Sequence, residues 1–230
     1  MIPNFRDLGG IRTMDGRKIR QGMLVRSAML ARAEEKDLAG VSAVIDLRTS
    51  EERRQEPDTV WGREYLARPV FETLTAGISR ESGAEDGGVP DMAGLYAGII
   101  RECAPSFRNI LLTVMGHGFS AGAVLWHCSE GKDRCGMVTA LVLETLGAGR
   151  DAILEDYLKT NAVSLPRARS IREQLAPVKG EDFAVRVYRA YIADETYLRA
   201  AWEAMGGDYI RGRLKIDEKA IRAFRDAVLE

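Results

Sequence analysis

Cysteine and histidine are scarce in this chain, at 3 and 2 among 230 residues. Three thiols, Cys103, Cys128 and Cys135, cannot build a disulfide framework, so a reducing compartment is the default. His127, Cys128 and Cys135 are too few and wrongly spaced for a closed zinc centre, and neither a metal nor a cofactor is expected. Long apolar runs are missing as well. The longest in mid-chain, Ala93 to Ile100, falls far short of the roughly 18–20 residues of a spanning helix. The opening MIPNFRDLGG has no apolar core behind positive charge, so no signal peptide is read. The expectation is a cytoplasmic protein without a transmembrane segment, with secretion by another route left open. An excess of charge is also absent: 33 Lys+Arg against 34 Asp+Glu leave a net −1. That removes the simplest electrostatic case for a nucleic-acid partner or an anionic membrane surface. Any cationic site must be local.

What is present is globular: 46% hydrophobic and 29% charged residues, enough for a real core. Residues 1–230 are expected to form a single domain with no internal repeat. The first 70 residues read as short strands and turns, with Asp15-Gly16 as a hairpin signal and apolar runs at Met23–Arg26 and Ala43–Leu47. From 72 to 90 the composition turns to Gly, Ser, Thr and acids, and a long loop is expected, a lid or simply disorder. Beyond Asp91 the pattern is helical. One helix runs from an Asp91 cap to about Cys103, a second takes Pro105 in its first turn, and 150–230 is helix-rich. Within that part, helices are expected over Asp151–Asn161, Pro166–Leu175, Asp182–Ala193, Glu195–Met205 and Asp217–Leu229.

One segment carries chemistry. Val124-Leu125-Trp126-His127 reads as a buried strand, Cys128 to Arg134 as a polar loop, and Met137 to Leu146 as a buried helix ended by Gly147. A loop that enters a helix N-terminus turns several backbone N–H groups into one concavity, where they and the helix dipole hold an anion. Ser129, Glu130, Gly131, Lys132 and Asp133 supply that cradle. Arg134 at its far rim can grip a phosphoryl group through two parallel hydrogen bonds. Cys128 faces the same cradle with Lys132 and Arg134 nearby, surroundings that favour thiolate over thiol. A low-pKa thiolate there is a nucleophile set to attack phosphorus in line. A nucleotide-binding loop is excluded, because no Gly lies at the right upstream spacing and no Ser or Thr follows Lys132.

HCSEGKDRCG resembles the signature loop of cysteine-dependent phosphatases, and most closely that of the bacterial tyrosine/serine protein phosphatase family with its Gly-Lys-Asp-Arg run. Asn4–Gly10, Asp15-Gly16-Arg17, Arg26-Ser27, Asp46-Leu47-Arg48 with Glu51, Asp156-Tyr157-Leu158 with Asn161, and Glu195–Leu198 follow in the family's order, so the likeness spans nearly the whole chain. It implies an α/β, protein-tyrosine-phosphatase-like fold: a central, mostly parallel sheet flanked by helices, with the loop at the C-terminal end of a strand. It also implies a metal-free reaction through a phosphorylated Cys128, with Arg134 stabilising the equatorial oxygens. Asp133 is implied as the general acid, although nearby basic residues oppose its protonation; Asp46, Glu85, Asp86 and Asp91 compete. Lys132 is associated in that family with a second phosphate. The substrate expected is therefore a phosphorylated protein, with a phosphoinositide or small phosphate ester as the alternative.

Supporting roles are expected around the loop. His127 packs behind it and tunes the thiolate, and Asp46 with Arg48 orients the loop or pins a strand end. Arg6, Asp7 and Arg26 form a buried polar network. At position 135 the chain departs from the family, which carries Thr or Ser there to donate to the thiolate. Cys135 is a weaker donor. That change is the one feature favouring a different class, a catalytically weak phosphate-binding module.

Overall fold

The computed structural model describes residues 2–74 and 88–230. Most of the loop expected over 72–90, with Glu85 and Asp86, lies outside them. The chain divides into two compact units. One comprises residues 1–73, 103–153 and 208–230, the other residues 74–102 and 154–207.

The first unit is built on a five-stranded sheet. Its strands are β1 (Arg6–Asp7), β2 (Leu24–Ser27), β3 (Val41–Asp46), β4 (Glu64–Ala67) and β5 (Ala123–His127), in the order β1-β2-β5-β3-β4. Only β1 pairs antiparallel; the other neighbours run parallel. The α/β, mostly parallel arrangement expected from the sequence is the one found. Every residue of β2 and β5 is buried, as expected of parallel strands covered on both faces. Val25, Leu30, Leu38, Val41, Val44 and Leu125 pack together on one side of this sheet. Register places Ser27 and Asp46 level with His127 on either side of β5. The chain therefore leaves the middle of the sheet at Cys128 with a strand end on each flank.

Between β3 and β4 lies a short helix that the apolar pattern does not announce, α1 (Ser50–Gln55), which buries no residue completely. It forms because Thr49 and Glu52 make a capping box: the Thr49 side chain accepts from Glu52 N, and Glu52 Oε2 accepts from Thr49 N at 2.9 Å. The next helices are α2 (Met92–Glu102) and α3 (Ala104–Met115), then α4 (Asp133–Leu146) directly after the loop. α4 is buried on almost every side and ends where Gly147 takes a left-handed φ of 84°. His117, beyond α3, is half-buried. Its Nε2 lies 3.1 Å from Ser42 Oγ and 3.0 Å from the Gly122 carbonyl.

The C-terminal helices are α5 (Arg150–Leu158), α6 (Asn161–Lys179), α7 (Glu181–Tyr191), α8 (Glu195–Met205) and α9 (Glu218–Val228), with one π-helical turn at Tyr209–Arg213. In the second unit α6 packs on α7 and α2 on α8. Tyr96, Tyr157 and Tyr197 meet there, the first two hydroxyls 2.8 Å apart. Tyr197 is core, whereas Tyr188 and Tyr191 are half-buried. α6 begins five residues before Pro166, where a helix start was expected. The Asn161 amide explains the difference: Nδ2 donates to Ala193 O at 2.7 Å and Oδ1 accepts from Ala193 N at 2.9 Å. That tertiary clamp starts the helix, and the proline is carried inside it. Among the described residues, no helix is long and apolar enough to cross a membrane.

Candidate active site

β5 delivers Cys128 to the centre of the sheet edge, and α4 begins at Asp133. The loop between them is held from outside by its carbonyls. His127 Nδ1 is 3.3 Å from Cys128 O, and Met29 N donates to Ser129 O at 3.2 Å. Asn4 Nδ2 donates to Glu130 O at 3.3 Å and to Gly131 O at 2.7 Å, where Arg26 Nη2 also donates at 2.7 Å. Gly136 N closes the run on Lys132 O at 2.6 Å. The carbonyls of 129 to 131 are thus held by groups from outside the loop, and that of Lys132 by the first turn of α4. In a trans peptide the N–H points opposite its C=O, so the amides of 130–132 turn away from those outside groups. This loop is where the sequence placed the anion cradle, and its shape is set by groups outside the motif.

Gly131 makes the turn possible. Its φ is 67°, and a Cβ there would lie 2.6 Å from Ser27 O. Gly131→Ala is expected to cost about 2–4 kcal/mol from left-handed strain and overpacking. Urea denaturation measures it; an unchanged midpoint with unchanged activity would show that the close approach to β2 does not matter.

Cys128 is buried, and its Sγ interacts with both the side chain and the backbone N–H of Cys135. The bond from the Cys135 side chain, with Arg134's charge and that N–H, outweighs burial and Asp133 and brings the Cys128 thiol down to about 6. Burial and the neighbouring sulfur push Cys135 well above the ordinary thiol range, so it stays protonated and can donate. Its Sγ also lies 3.6 Å from Ser27 O and 3.7 Å from Trp126 O. Alkylation of the protein by iodoacetamide is therefore expected to follow a single titration with a midpoint near pH 6. Below the midpoint the rate falls about tenfold per pH unit as the thiolate is protonated; a midpoint at about 8.5, the free-cysteine value, would contradict the geometry.

Arg134 is fixed by a residue the motif does not contain. Nη1 and Nη2 each donate to the Glu52 carboxylate at 2.6 Å, and Nη2 also reaches Ser129 Oγ at 3.2 Å. Ser129 Oγ in turn donates to Glu52 Oε1 at 2.5 Å. The guanidinium carries five donors, so these bonds orient it without exhausting it. Its carbon stands 5.5 Å from the centre of the Phe71 ring. Burial works against the Glu52 carboxylate, but Arg134 and Ser129 hold it at about 2. Glu51, the acid of the sequence motif, instead pairs with Arg54 and Gln55 on the surface. The Thr49-x-x-Glu52 pattern was the one available signal for Glu52.

Lys132 is buried with Nζ 3.3 Å from Asp133 Oδ1, and Asp133 is partly open to solvent at the head of α4. Behind the loop, Asp46 accepts from Arg48 Nη2 at 2.7 Å and from Tyr65 OH at 2.7 Å, and Arg48 reaches Asp58 Oδ2 at 2.5 Å. His127 Nε2 lies 3.1 Å from that Asp58 oxygen and 3.8 Å from Asp46 Oδ2. Burial would raise the Asp46 carboxyl, but Arg48, His127 and Tyr65 hold it well below the usual range. Asp46, Asp58 and His127 also bring metal-ligand atoms within 4.8 Å of one another. The Arg48 guanidinium bonded to both carboxylates already supplies the positive charge there. Arg26 lies in the buried support as expected. Arg6 and Asp7 are half-buried: Arg6 holds Asn4, and Asp7 accepts from Gly9 N and Gly22 N in the adjoining turns.

A buried cysteine at the C-terminal end of a central parallel strand, at the head of a loop that ends on an oriented arginine, fits the class of cysteine-dependent phosphatases. Within it, the chain belongs to the tyrosine phosphatase family, whose profile matches residues 1–230. It is 30% identical over 242 residues to a Cupriavidus necator protein assigned by name to the tyrosine-protein phosphatases, covering 96% of this chain and 85% of that one. Triple specificity protein phosphatase PtpB of Mycobacterium tuberculosis is 32% identical over 199 residues, 73% of this chain and 69% of its own. Among solved structures, P. aeruginosa TpbA in complex with phosphotyrosine aligns at 16% identity and a TM-score of 0.41, over 92% of this chain and 88% of that chain.

Proposed function

We propose that this phosphatase acts on phosphorylated protein side chains, phosphotyrosine foremost, through a phosphocysteine at Cys128. The observation that carries the reading is the placement of Cys128, buried directly after β5 and before the N-terminus of α4, in the loop whose far rim holds Arg134, oriented by Glu52. The thiolate attacks phosphorus, the S–P bond forms as the P–O bond to the leaving group breaks, and Asp133 gives that oxygen a proton. Water then attacks phosphorus, Asp133 takes its proton, and inorganic phosphate and the thiolate are released. Arg134 and the loop amides hold the equatorial oxygens in both steps. Among the described acids, Asp46 is consumed by Arg48 and Tyr65, and Asp91 caps α2, accepting from Gly94 N at 3.0 Å. Asp133, at the rim of the loop, is left for the proton. The same Lys132 that pairs with it supports a second reading, a phosphoinositide substrate, because a buried ammonium beside the cradle suits a further phosphate. The M. tuberculosis relative's name, triple specificity, supports breadth beyond tyrosine.

Peptides carrying phosphotyrosine or phosphoserine and short-chain phosphoinositides, assayed side by side for released phosphate, test the choice. The phosphotyrosine peptide is expected to lead in kcat/KM by about tenfold or more. A phosphoinositide in the lead would replace this reading with the second.

A further inference from the structure

We propose that Asp58 is a positioning residue for the reaction, a single buried carboxylate that holds the head of the loop, Cys128 and Ser129, from behind. The inference rests on Cys128 being the nucleophile of the preceding section, but not on which phosphate ester it attacks.

Asp58 lies in the connection between α1 and β4, outside every stretch that carries the family resemblance. Its side chain is fully buried, in the same unit as the loop. Three groups meet on it. Leu30 N donates to Oδ1 at 2.8 Å, Arg48 Nη2 donates to Oδ2 at 2.5 Å, and His127 Nε2 lies 3.1 Å from Oδ2. Nε2 makes no aligned hydrogen bond among the described residues, so no other partner draws the ring away. Two of the three groups lead to the loop in one step. His127 Nδ1 lies 3.3 Å from Cys128 O, and Met29, the residue before Leu30, donates its N–H to Ser129 O at 3.2 Å. The third steadies the carboxylate itself. Arg48 Nη1 donates to Glu56 O at 2.9 Å, and its Nε donates to Asp46 Oδ1 at 3.0 Å.

A carboxylate suits this place and an amide does not. The Leu30 N–H and the guanidinium only donate, and an ionised carboxylate only accepts. Asparagine could keep one of these bonds, but its NH2 would then meet a second donor. With the acid gone, His127 and residues 29–30 lose their common anchor, and the head of the loop shifts. A misplacement of about 1 Å can cost about 10²-fold in rate. The same shift takes Cys128 Sγ off Cys135 and Arg134, which hold the thiol low against burial and the charge of Asp133. Farther along, Asn4 and Arg26 still hold the carbonyls of Glu130 and Gly131, so phosphate binding survives better than turnover.

Asp58→Asn and Asp58→Ala, assayed on p-nitrophenyl phosphate below the melting temperature of each variant, test this through readouts that lost stability alone would not move. Both are expected to lose about 10–100-fold in kcat with KM within about threefold. The midpoint of Cys128 alkylation should rise by about one pH unit. Because Asp58 acts partly through His127, Asp58→Asn with His127→Asn should lose less than the product of the two single losses. Should Asp58→Ala not fold, the near-isosteric asparagine variant decides. A lower melting temperature with kcat and the alkylation midpoint unchanged would overturn the proposal, and so would single losses that simply multiply. Cys128→Ser keeps the two inferences apart. Turnover surviving in that variant removes the nucleophile itself, whereas an inactive Cys128→Ser beside a fully active Asp58→Asn removes only the positioning residue.

Discussion

Cys128→Ser is expected to lower phosphatase turnover by on the order of 10⁴-fold or more while the protein keeps its fold and its affinity for phosphate. The reason lies in what the loop can and cannot ionise. Hydrogen bonds from Cys135 and the charge of Arg134 bring a thiol down to about 6, so most of it is thiolate at neutral pH. A serine hydroxyl starts far higher, and the same surroundings leave it protonated and a poor nucleophile. Nothing else in the cradle changes: the outward bonds from Asn4, Arg26 and Met29 to the loop carbonyls do not involve the sulfur. Phosphate binding by calorimetry should therefore persist within a few-fold, and the melting temperature should hold. Residual turnover within about tenfold of wild type would remove Cys128 as nucleophile, because no enzyme loses its attacking group so cheaply.

Arg134→Lys carries the second-largest expected loss, about 10²–10³-fold in kcat. The substitution keeps the charge and discards the planar fork. Lysine cannot make two parallel bonds to Glu52 and still present a flat pair of donors to a phosphoryl group. The carboxylate held at about 2 by Arg134 and Ser129 would lose its best partner. Two readouts separate the clamp from simple electrostatics. If geometry is what matters, kcat falls while the alkylation midpoint of Cys128 stays near 6, since a cation remains beside it. A loss under about tenfold, or a fall fully explained by a raised midpoint, would mean that charge alone suffices. Glu52→Gln, which leaves Arg134 in place but weakens its anchor, should show a smaller drop of about tenfold.

The chemistry was legible in the sequence because one stretch of chain carries it. From Ala123 to Leu146 the apolar strand, the polar loop and the apolar helix follow one another in the structure as in the pattern, except that the helix starts at Asp133 and so takes Asp133 and Arg134 from the expected loop. The α8 bounds, Glu195–Met205, match the expectation, helped by the Asp194 side chain accepting from Thr196 N. Where periodicity is interrupted, tertiary contact decided. Pro166 argued for a helix start and instead lies within α6, because Asn161 is clamped to Ala193. α1 has no apolar face to reveal it and was silent apart from its capping box.

By itself, then, the sequence determined the class of chemistry: nucleophile, cradle and clamp sit within seven consecutive residues, Cys128 to Arg134, and local backbone geometry is enough to bring them together. The tertiary structure decided what holds them. Glu52 reaches Arg134 from 82 residues away, Asn4 reaches Gly131 from 127, and Arg26 from 105. Asp58 joins Arg48 and His127 behind the loop in the same way. Their positions follow from the sheet order, with β2 and β3 flanking β5, and no local pattern encodes that order. Burial explains why such partners are needed. Carbonyls, a guanidinium and carboxylates taken out of water must find bonds inside the protein, and only the folded sheet edge brings the donors and acceptors to them.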